Sequence, residues 1–222
     1  MELILFILII ILPLIADIFV KINYSINLKK ENSKGLSGAE VARKILDKNG
    51  LSNIYVVATN GYLTDHYDPK RKVIRLSKDV YEGSSVSSMA IAAHECGHAI
   101  QDKEGYLFLR LRSLIFPVVN IATSISYYII LIGFIFEMLD LVYIGIGLTT
   151  LGLLFQIITL PVEFNASKRA EKELGTMNLA DNEEKSGVKK VLVSAALTYV
   201  AGVLTSALQI LRLILIASSD RD

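Results

Sequence analysis

The sequence predicts an α+β integral membrane protein with about four transmembrane helices and one polar domain inserted between the first and second of them. Hydrophobic residues make up 52% of the 222 residues and collect in four long runs instead of spreading evenly. Each run is long enough to cross a bilayer as a helix, which needs roughly 20 apolar residues. The polar segments between the runs contain nearly all of the charge and all three histidines.

The first apolar run covers residues 3–20 and is interrupted only by Pro13 and Asp17. A cleaved signal peptide would begin with positive charge and end at a small-residue cleavage site. The only charge before this run is Glu2, and the first lysine, Lys21, follows it. We therefore expect residues 1–20 to form a retained transmembrane anchor whose N-terminus lies outside the cell.

Residues 21–113 are polar enough to form a soluble α+β domain. A helix is expected after Ser37, which can cap it, and Gly50 is expected to end it. Short runs rich in β-branched and aromatic residues predict strands, the last two joined by a turn at residues 68–71. The predicted strands cover residues 54–58, 62–67 and 73–77.

A helix carrying His94, Glu95 and His98 is predicted next, because Ser84 or Ser85 can cap its start and a glycine, Gly105, follows its end. Positions four apart lie on one face of a helix, so the two imidazoles can bind one Zn²⁺ together. This is the HExxH pattern of zinc peptidases, with Glu95 as the general base. The alternative is an ordinary buried histidine pair. The helix start and end signals that flank the motif favour the metal site over this alternative.

The composition argues against an internal disulfide and against a nucleic-acid-binding surface. Cys96 is the single cysteine, so the chain forms no internal disulfide, and we expect this residue to be a small apolar filler between the histidines. Basic residues interleaved with aromatics, as in nucleic-acid-binding surfaces, are not found, so no nucleic-acid partner is expected.

The second half of the chain predicts three more membrane crossings. Residues 114–162 read as a transmembrane hairpin, because two uncharged runs flank a short turn at residues 137–140. Residues 163–187 read as a charged helix that Gly175 stops, followed by a polar loop. Residues 188–222 read as a C-terminal transmembrane helix with a short polar tail.

The charge distribution predicts the orientation in the membrane. Of the 23 Lys and Arg residues, 21 lie in residues 21–112 and 163–190, two segments that four crossings place on the same side. Cytoplasmic segments carry the excess of positive charge. We therefore expect a multi-pass protein of the cell membrane whose active site faces the cytoplasm.

The hairpin has a consequence for Glu163. It returns the chain to the side that it left after His98, so Glu163 can approach the histidine pair although it lies far away in sequence. A catalytic zinc site needs a third protein ligand and an open position for water. From position alone, two roles for Glu163 stay open: a zinc ligand, or a carboxylate that marks the membrane–water boundary.

Two motifs carry a family resemblance: residues 92–101 around the histidines and residues 160–170 around Glu163. Together they resemble the YugP-type membrane zinc metallopeptidases of bacteria, as do residues 65–69 and 197–201. The resemblance covers most of the chain, including the order of the four crossings.

The resemblance implies a zincin-like domain with one Zn²⁺ per chain, held by His94, His98 and Glu163, and with Glu95 as the catalytic base. It implies a membrane-bound endopeptidase with a peptide or protein substrate, which includes membrane proteins. Residues 163–167 are also similar, more distantly, to the HtpX-type membrane proteases, in which an acid at the last position orients a ligand histidine. Here that position is Ser167, a neutral partner, so the orienting group is left open between Ser167, Asn165 and another residue.

His66 and Tyr199 are two further candidates, for stabilising the oxyanion. The alternative for His66 is an ordinary turn or strand residue, and the alternative for Tyr199 is a residue that packs between helices. The strand at residues 73–77 precedes the metal helix, where zincins place the edge strand that pairs with an extended peptide. Its alternative is a strand internal to a small sheet.

Two other classes of function compete with the peptidase. The first is a non-proteolytic membrane scaffold or chaperone-like protein with a structural zinc, which would need a fourth protein ligand. The second is a small transporter, which is disfavoured because the second and third runs and the core of the fourth have no ionisable residue. The sequence leaves the substrate and the oligomeric state open.

Overall fold

The computed structural model describes residues 2–219, and most of them are helical. The elements in chain order are α1 (Glu2–Leu28), α2 (Gly38–Lys48), β1 (Tyr55–Thr59), β2 (His66–Asp68), β3 (Val73–Ser77), α3 (Lys78–Glu82), α4 (Val86–Glu104), α5 (Leu107–Ile135), α6 (Leu139–Thr176) and α7 (Asn182–Ser219). Four of these helices, α1, α5, α6 and α7, are long and apolar enough to cross a membrane. Many of their large hydrophobic side chains are exposed, as expected for helices that face lipid.

The chain divides into two compact units. The helical unit comprises the residues up to Asp17, Arg110–Pro161 and the residues from Leu197 onward. The α+β unit comprises Ile18–Leu109 and Val162–Ala196, and it contains the sheet and both sequence motifs around His94 and Glu163.

Helices α6 and α7 are longer than predicted. The third apolar run and the charged segment after it form one continuous helix, α6, which passes through Pro161 and ends at Thr176. Proline is tolerated inside membrane helices because other groups satisfy the freed carbonyl. The polar loop is shorter than predicted, because Asp181 Oδ1 accepts hydrogen bonds from the backbone N–H groups of Glu183 and Glu184 and so starts α7 before Gly187.

The sheet has three strands in the order β1-β3-β2, with β1 parallel and β2 antiparallel to β3. The predicted turn between β2 and β3 forms around Asp68, whose Oδ1 accepts from the N–H groups of Lys70 and Arg71 at 3.0 and 3.1 Å. The strand predicted at residues 62–67 is wrong for most of its length. Gly61 and Leu63 have φ angles of 108° and 55°, which interrupt an extended backbone, so the strand begins only at His66.

Strand β3 is the central strand, so the prediction that it forms the edge for substrate pairing is wrong. It hydrogen-bonds with β1 on one side and with β2 on the other. The alternative, a strand internal to a small sheet, is correct. Four of the five residues of β3 are buried, which fits its central position in the sheet.

The core of the α+β unit forms mainly between α2 and α4. Ser37 and Glu40 build a capping box that starts α2, and the buried residues of that helix include Val41, Ile45 and Leu46. Ile45, Leu46 and Met89 are fully buried in this core. Cys96 also lies in it, with its Sγ donating to the Ala42 carbonyl at 3.5 Å, and burial raises the pKa of the thiol well above its usual value. The expectation of an apolar filler fits this environment.

Candidate metal centre

The helix that carries the HExxH motif is well defined at both ends. The Ser85 side chain accepts from the N–H of Ser88 at the start of α4. Gly105 ends the helix in the left-handed conformation, with φ of 65°. Between these caps, His94 and His98 lie one turn apart on the same face, with ring centroids 4.8 Å apart.

Glu163 meets this histidine pair. Its Oε2 lies 3.4 Å from His94 Nε2 and 3.5 Å from His98 Nε2, and one ligand atom from each of the three residues falls within 4.8 Å of the others. Ligands about 2.0–2.2 Å from a tetrahedral zinc lie about 3.3–3.5 Å from one another. The spacing of the donors therefore fits a zinc ion, and two imidazoles with one carboxylate are a donor set that zinc accepts.

A glycine in the motif lets α6 come close enough for this contact. A Cβ atom on Gly97 would lie 2.5 Å from the carbonyl oxygen of Ala166 and 3.1 Å from its Cα. Ala166 is itself fully buried and lies three residues after Glu163. The small residues at this crossing thus bring the Glu163 carboxylate to the histidines.

We expect Gly97→Ala to destabilise the protein and to weaken zinc binding, because the added methyl group must push α6 away from α4. Overpacking of this kind costs about 1–3 kcal/mol. Thermal unfolding in detergent and zinc competition with a chelator would measure the two effects. Gly175→Ala is the matched control, because a Cβ there meets nothing within 4 Å. Unchanged zinc binding in Gly97→Ala would contradict the importance of the close approach.

The other ring nitrogen of His94 has a partner on α6. Ser167 Oγ lies 3.2 Å from His94 Nδ1. A hydroxyl oxygen can accept a hydrogen bond from Nδ1–H, and in that tautomer the lone pair of Nε2 faces Glu163. Of the groups left open by the sequence, Ser167 is thus the one that contacts His94.

His98 has a different partner, Gln101, which the sequence analysis did not single out. Gln101 Oε1 lies 3.0 Å from His98 Nδ1, and Gln101 Nε2 donates to the Val162 carbonyl at 2.8 Å and to Asn165 Oδ1 at 3.0 Å. Because the amide nitrogen already donates to two acceptors, the amide oxygen of Gln101 faces His98, which places the proton on Nδ1 and leaves the lone pair of Nε2 facing Glu163. The only signal in the sequence is that Gln101 follows His98 by three residues on one helix.

This chain of polar groups continues to the surface through Asn165. Arg169 Nε donates to Asn165 Oδ1 at 2.7 Å, and the Arg169 guanidinium pairs with Glu104 at 2.7 Å. The hydrogen bond to Arg169 lowers the pKa of Glu104. Asn165 therefore supports the group that orients His98, while Ser167 contacts His94.

We expect Gln101→Met to weaken zinc binding by about 10–100-fold, the usual cost of losing a partner of a ligand histidine. Gln101 is fully buried, and methionine keeps its approximate volume while removing the hydrogen bonds. Chelator competition would measure the affinity, with Lys103→Met, on the last turn of the same helix, as control. Unchanged affinity in Gln101→Met would show that His98 needs no partner at Nδ1.

The surroundings of His98 raise its pKa. Burial disfavours the charged form, but the hydrogen bond to Glu163 and the charges of Glu95 and Glu163 outweigh it, so the pKa of His98 is raised above its ordinary value. The carboxylates around His98 thus favour the protonated imidazole. Metal binding must displace this proton, so affinity for zinc should fall as the pH falls.

Glu95 lies next to these residues on α4 and is only 7% exposed. Among residues 2–219 no group forms a hydrogen bond or an ion pair with its carboxylate.

A second acid, Asp65, accepts hydrogen bonds from Ser77 N at 2.7 Å and from Ser77 Oγ at 3.1 Å. Burial raises the pKa of Asp65, the bonds from Ser77 oppose this effect, and the charge of Glu95 adds to it.

The two candidates for stabilising an oxyanion do not join the three-residue group. His66 is exposed on β2, with Nδ1 2.8 Å from the carbonyl of Thr64. Tyr199 belongs to α7 in the helical unit, where it lines a cavity with Arg112 and Thr198. Their proposed role therefore stays a prediction.

Comparison with known proteins supports the same family. A family model described as "Putative neutral zinc metallopeptidase" matches residues 2–218. The chain is 48% identical, over 207 residues, to the protein named "Putative membrane protease YugP" of Bacillus subtilis (strain 168); the alignment covers 93% of this chain and 92% of that protein. No solved structure matches the chain. Together with its four apolar helices, these matches show that the chain is a multi-pass membrane protein that belongs to the neutral zinc metallopeptidase family, as the resemblance predicted.

Proposed function

We propose that this protein is a membrane endopeptidase in which His94, His98 and Glu163 hold one Zn²⁺ and Glu95 is the general base. The observation that carries the proposal is the convergence of three buried or half-buried ligand atoms within 4.8 Å, beside the glutamate of an HExxH motif. Topology alone left the role of Glu163 open. Its position between the two Nε2 atoms supports the role of a ligand.

The donor set supports a catalytic site rather than a structural one. A structural zinc is closed by four protein ligands, whereas a catalytic site leaves one position open. Within residues 2–219 the group consists of His94, His98 and Glu163, and the Cys96 thiol is engaged with the Ala42 carbonyl instead. A bound Zn²⁺ supplies a Lewis acid that polarises the peptide carbonyl and lowers the pKa of water toward about 7.

The side chains of the chain supply the rest of the chemistry. Gln101 and Ser167 hold the two imidazoles so that both Nε2 atoms face Glu163. Glu95 accepts the proton of the attacking water and delivers it to the leaving amine. Its carboxylate is suited to this task because it is nearly buried and no described residue pairs with it.

The substrate is proposed to bind in an extended conformation along β2 instead of β3. The outer side of β2 has no strand partner among the described residues. Tyr67 of this strand donates to Asp102 Oδ2 at 2.7 Å, which fixes β2 to the end of α4. Backbone pairing at such an edge gives affinity with little sequence preference.

The distribution of Lys and Arg along the chain supports a site that faces the cytoplasm.

Hydrolysis of an unfolded protein by detergent-purified enzyme tests the proposal. Activity on casein should disappear after treatment with a zinc chelator and return when one equivalent of Zn²⁺ is added. Ca²⁺ added in place of Zn²⁺ should not restore it, because the site offers two nitrogen donors and calcium prefers oxygen. Activity that resists the chelator, or zinc-loaded protein without hydrolysis of any unfolded substrate, would contradict the peptidase and favour the scaffold with structural zinc.

A further inference from the structure

The helical unit contains a cavity that the metal centre does not use. It has a volume of about 380 Å³ and is lined by residues of α5, α6 and α7, among them three carboxamides, Asn120, Gln156 and Gln209. A second cavity of about 320 Å³ shares Phe155 and Gln156 with the first. The side chains of Phe155 and Gln156 thus border both cavities, and the larger one adds polar groups to a bundle of mostly apolar helices.

The larger cavity lies deep along the membrane helices. Asn120 is the fourteenth of the 29 residues of α5. At a rise of 1.5 Å per residue it lies about 20 Å from either end of that helix. Arg112, the last charged residue before the apolar run of α5, precedes Asn120 by eight residues, or about 12 Å, so Asn120 lies within a hydrocarbon layer roughly 30 Å thick, on the Arg112 side of its middle. A polar side chain in this layer is costly when it lacks a hydrogen-bond partner, so such side chains often mark functional sites.

The hydroxyl groups and the carboxamides around the cavity differ in their hydrogen bonds. Thr123, Ser124 and Thr149 donate to backbone carbonyls of their own helices at 2.7 to 2.9 Å. Gln156 Oε1 accepts from Ser206 Oγ at 3.0 Å. Among residues 2–219, the Gln156 amide nitrogen and the amide groups of Asn120 and Gln209 have no hydrogen-bond partner. They are therefore available to something that enters the cavity.

The chemistry of the lining selects among occupants. No Asp, Glu, Lys or Arg lines the larger cavity, so an ion or a lipid phosphate would find no opposite charge there. Lipid tails have no group that can use an amide. A carboxamide can both donate and accept hydrogen bonds, as a peptide group can. A peptide group outside a helix has no intrahelical partner, so in hydrocarbon it needs a polar side chain to bond with.

We propose that this cavity binds a locally unwound stretch of a membrane-spanning polypeptide through Asn120, Gln156 and Gln209. The proposal rests on the peptidase function proposed above, and it makes membrane-spanning proteins the substrate class of that peptidase. The cavity holds the unwound segment, whose backbone exchanges hydrogen bonds with the three carboxamides.

Two synthetic transmembrane peptides in phosphatidylcholine vesicles test the proposal. One is a continuous Leu-Ala helix, and the other carries a central Gly-Pro pair that unwinds it. The vesicles contain Glu95→Gln protein, so binding is read by energy transfer without cleavage. We expect the interrupted peptide to bind about tenfold more tightly, from two or three hydrogen bonds. Equal binding of the two peptides would overturn the proposal and leave a cavity filled by water or lipid only.

Variants connect this preference to the three carboxamides. Asn120→Leu, Gln156→Leu and Gln209→Leu combined should remove the preference, whereas Tyr128→Leu, a 69% exposed position on α5, should keep it. Should the triple variant fail to fold, Gln209→Leu alone must reduce the preference. A preference that survives these changes overturns the proposed site. Hydrolysis of casein by the same variants with Glu95 present should be unchanged, so failure of the cavity and failure of the peptidase are separable.

Discussion

Replacing Glu95 by glutamine is expected to reduce peptide hydrolysis by about 10²–10⁴-fold while zinc content stays at the wild-type level. Glutamine has nearly the same size but cannot accept the proton of the attacking water. Glu95 is not one of the three residues whose ligand atoms converge, so its neutralisation should leave the metal in place. Casein hydrolysis and the metal content of the same preparations measure the two effects.

Glu82→Gln is the matched control for this experiment, because it removes the charge of an exposed glutamate on α3 in the same unit. The control should retain full activity. Full activity in Glu95→Gln would remove Glu95 as the base. Loss of zinc from that variant would instead indicate that Glu95 supports the metal site.

Glu163→Ala is expected to weaken zinc binding by more than about 100-fold, beyond the effect of losing an outer partner of a ligand. Glu163 is 3% exposed and its carboxylate lies between the Nε2 atoms of His94 and His98, so its removal should leave zinc with only two protein ligands. Chelator competition measures the affinity, and thermal unfolding of the metal-free protein shows whether the fold survives.

Glu171→Ala controls for the loss of a carboxylate from α6, because Glu171 is exposed on the same helix. It should bind zinc as the wild type does. Full zinc occupancy in Glu163→Ala would mean that another residue completes the site, and His66 would be the first to test.

Local patterns predicted the features that depend on nearby residues. Ser37, Ser85 and Gly105 cap the helices as expected, because capping involves groups within a few positions. The four candidate membrane helices followed from run length alone. The approach of Glu163 to His94 followed from the return of the chain through the hairpin and from the resemblance.

Features that depend on tertiary packing were missed. The order of three short strands does not follow from their alternation of residues, so the central position of β3 was not recognised. The third apolar run and the charged segment from residue 163 were also expected to be separate elements, whereas they form one continuous helix. The roles of Gly97 and Gln101 depend on Ala166 and Val162, which lie more than 60 residues away in sequence.

X-ray absorption at the zinc edge of the wild-type protein in detergent would identify the ligands of a zinc ion bound by His94, His98 and Glu163. We expect one zinc per chain, with nitrogen and oxygen ligands at about 2.0–2.2 Å and the signature of two imidazoles. Zinc bound through sulfur at about 2.3 Å, or protein that takes up no zinc after supplementation, would contradict a site made by His94, His98 and Glu163.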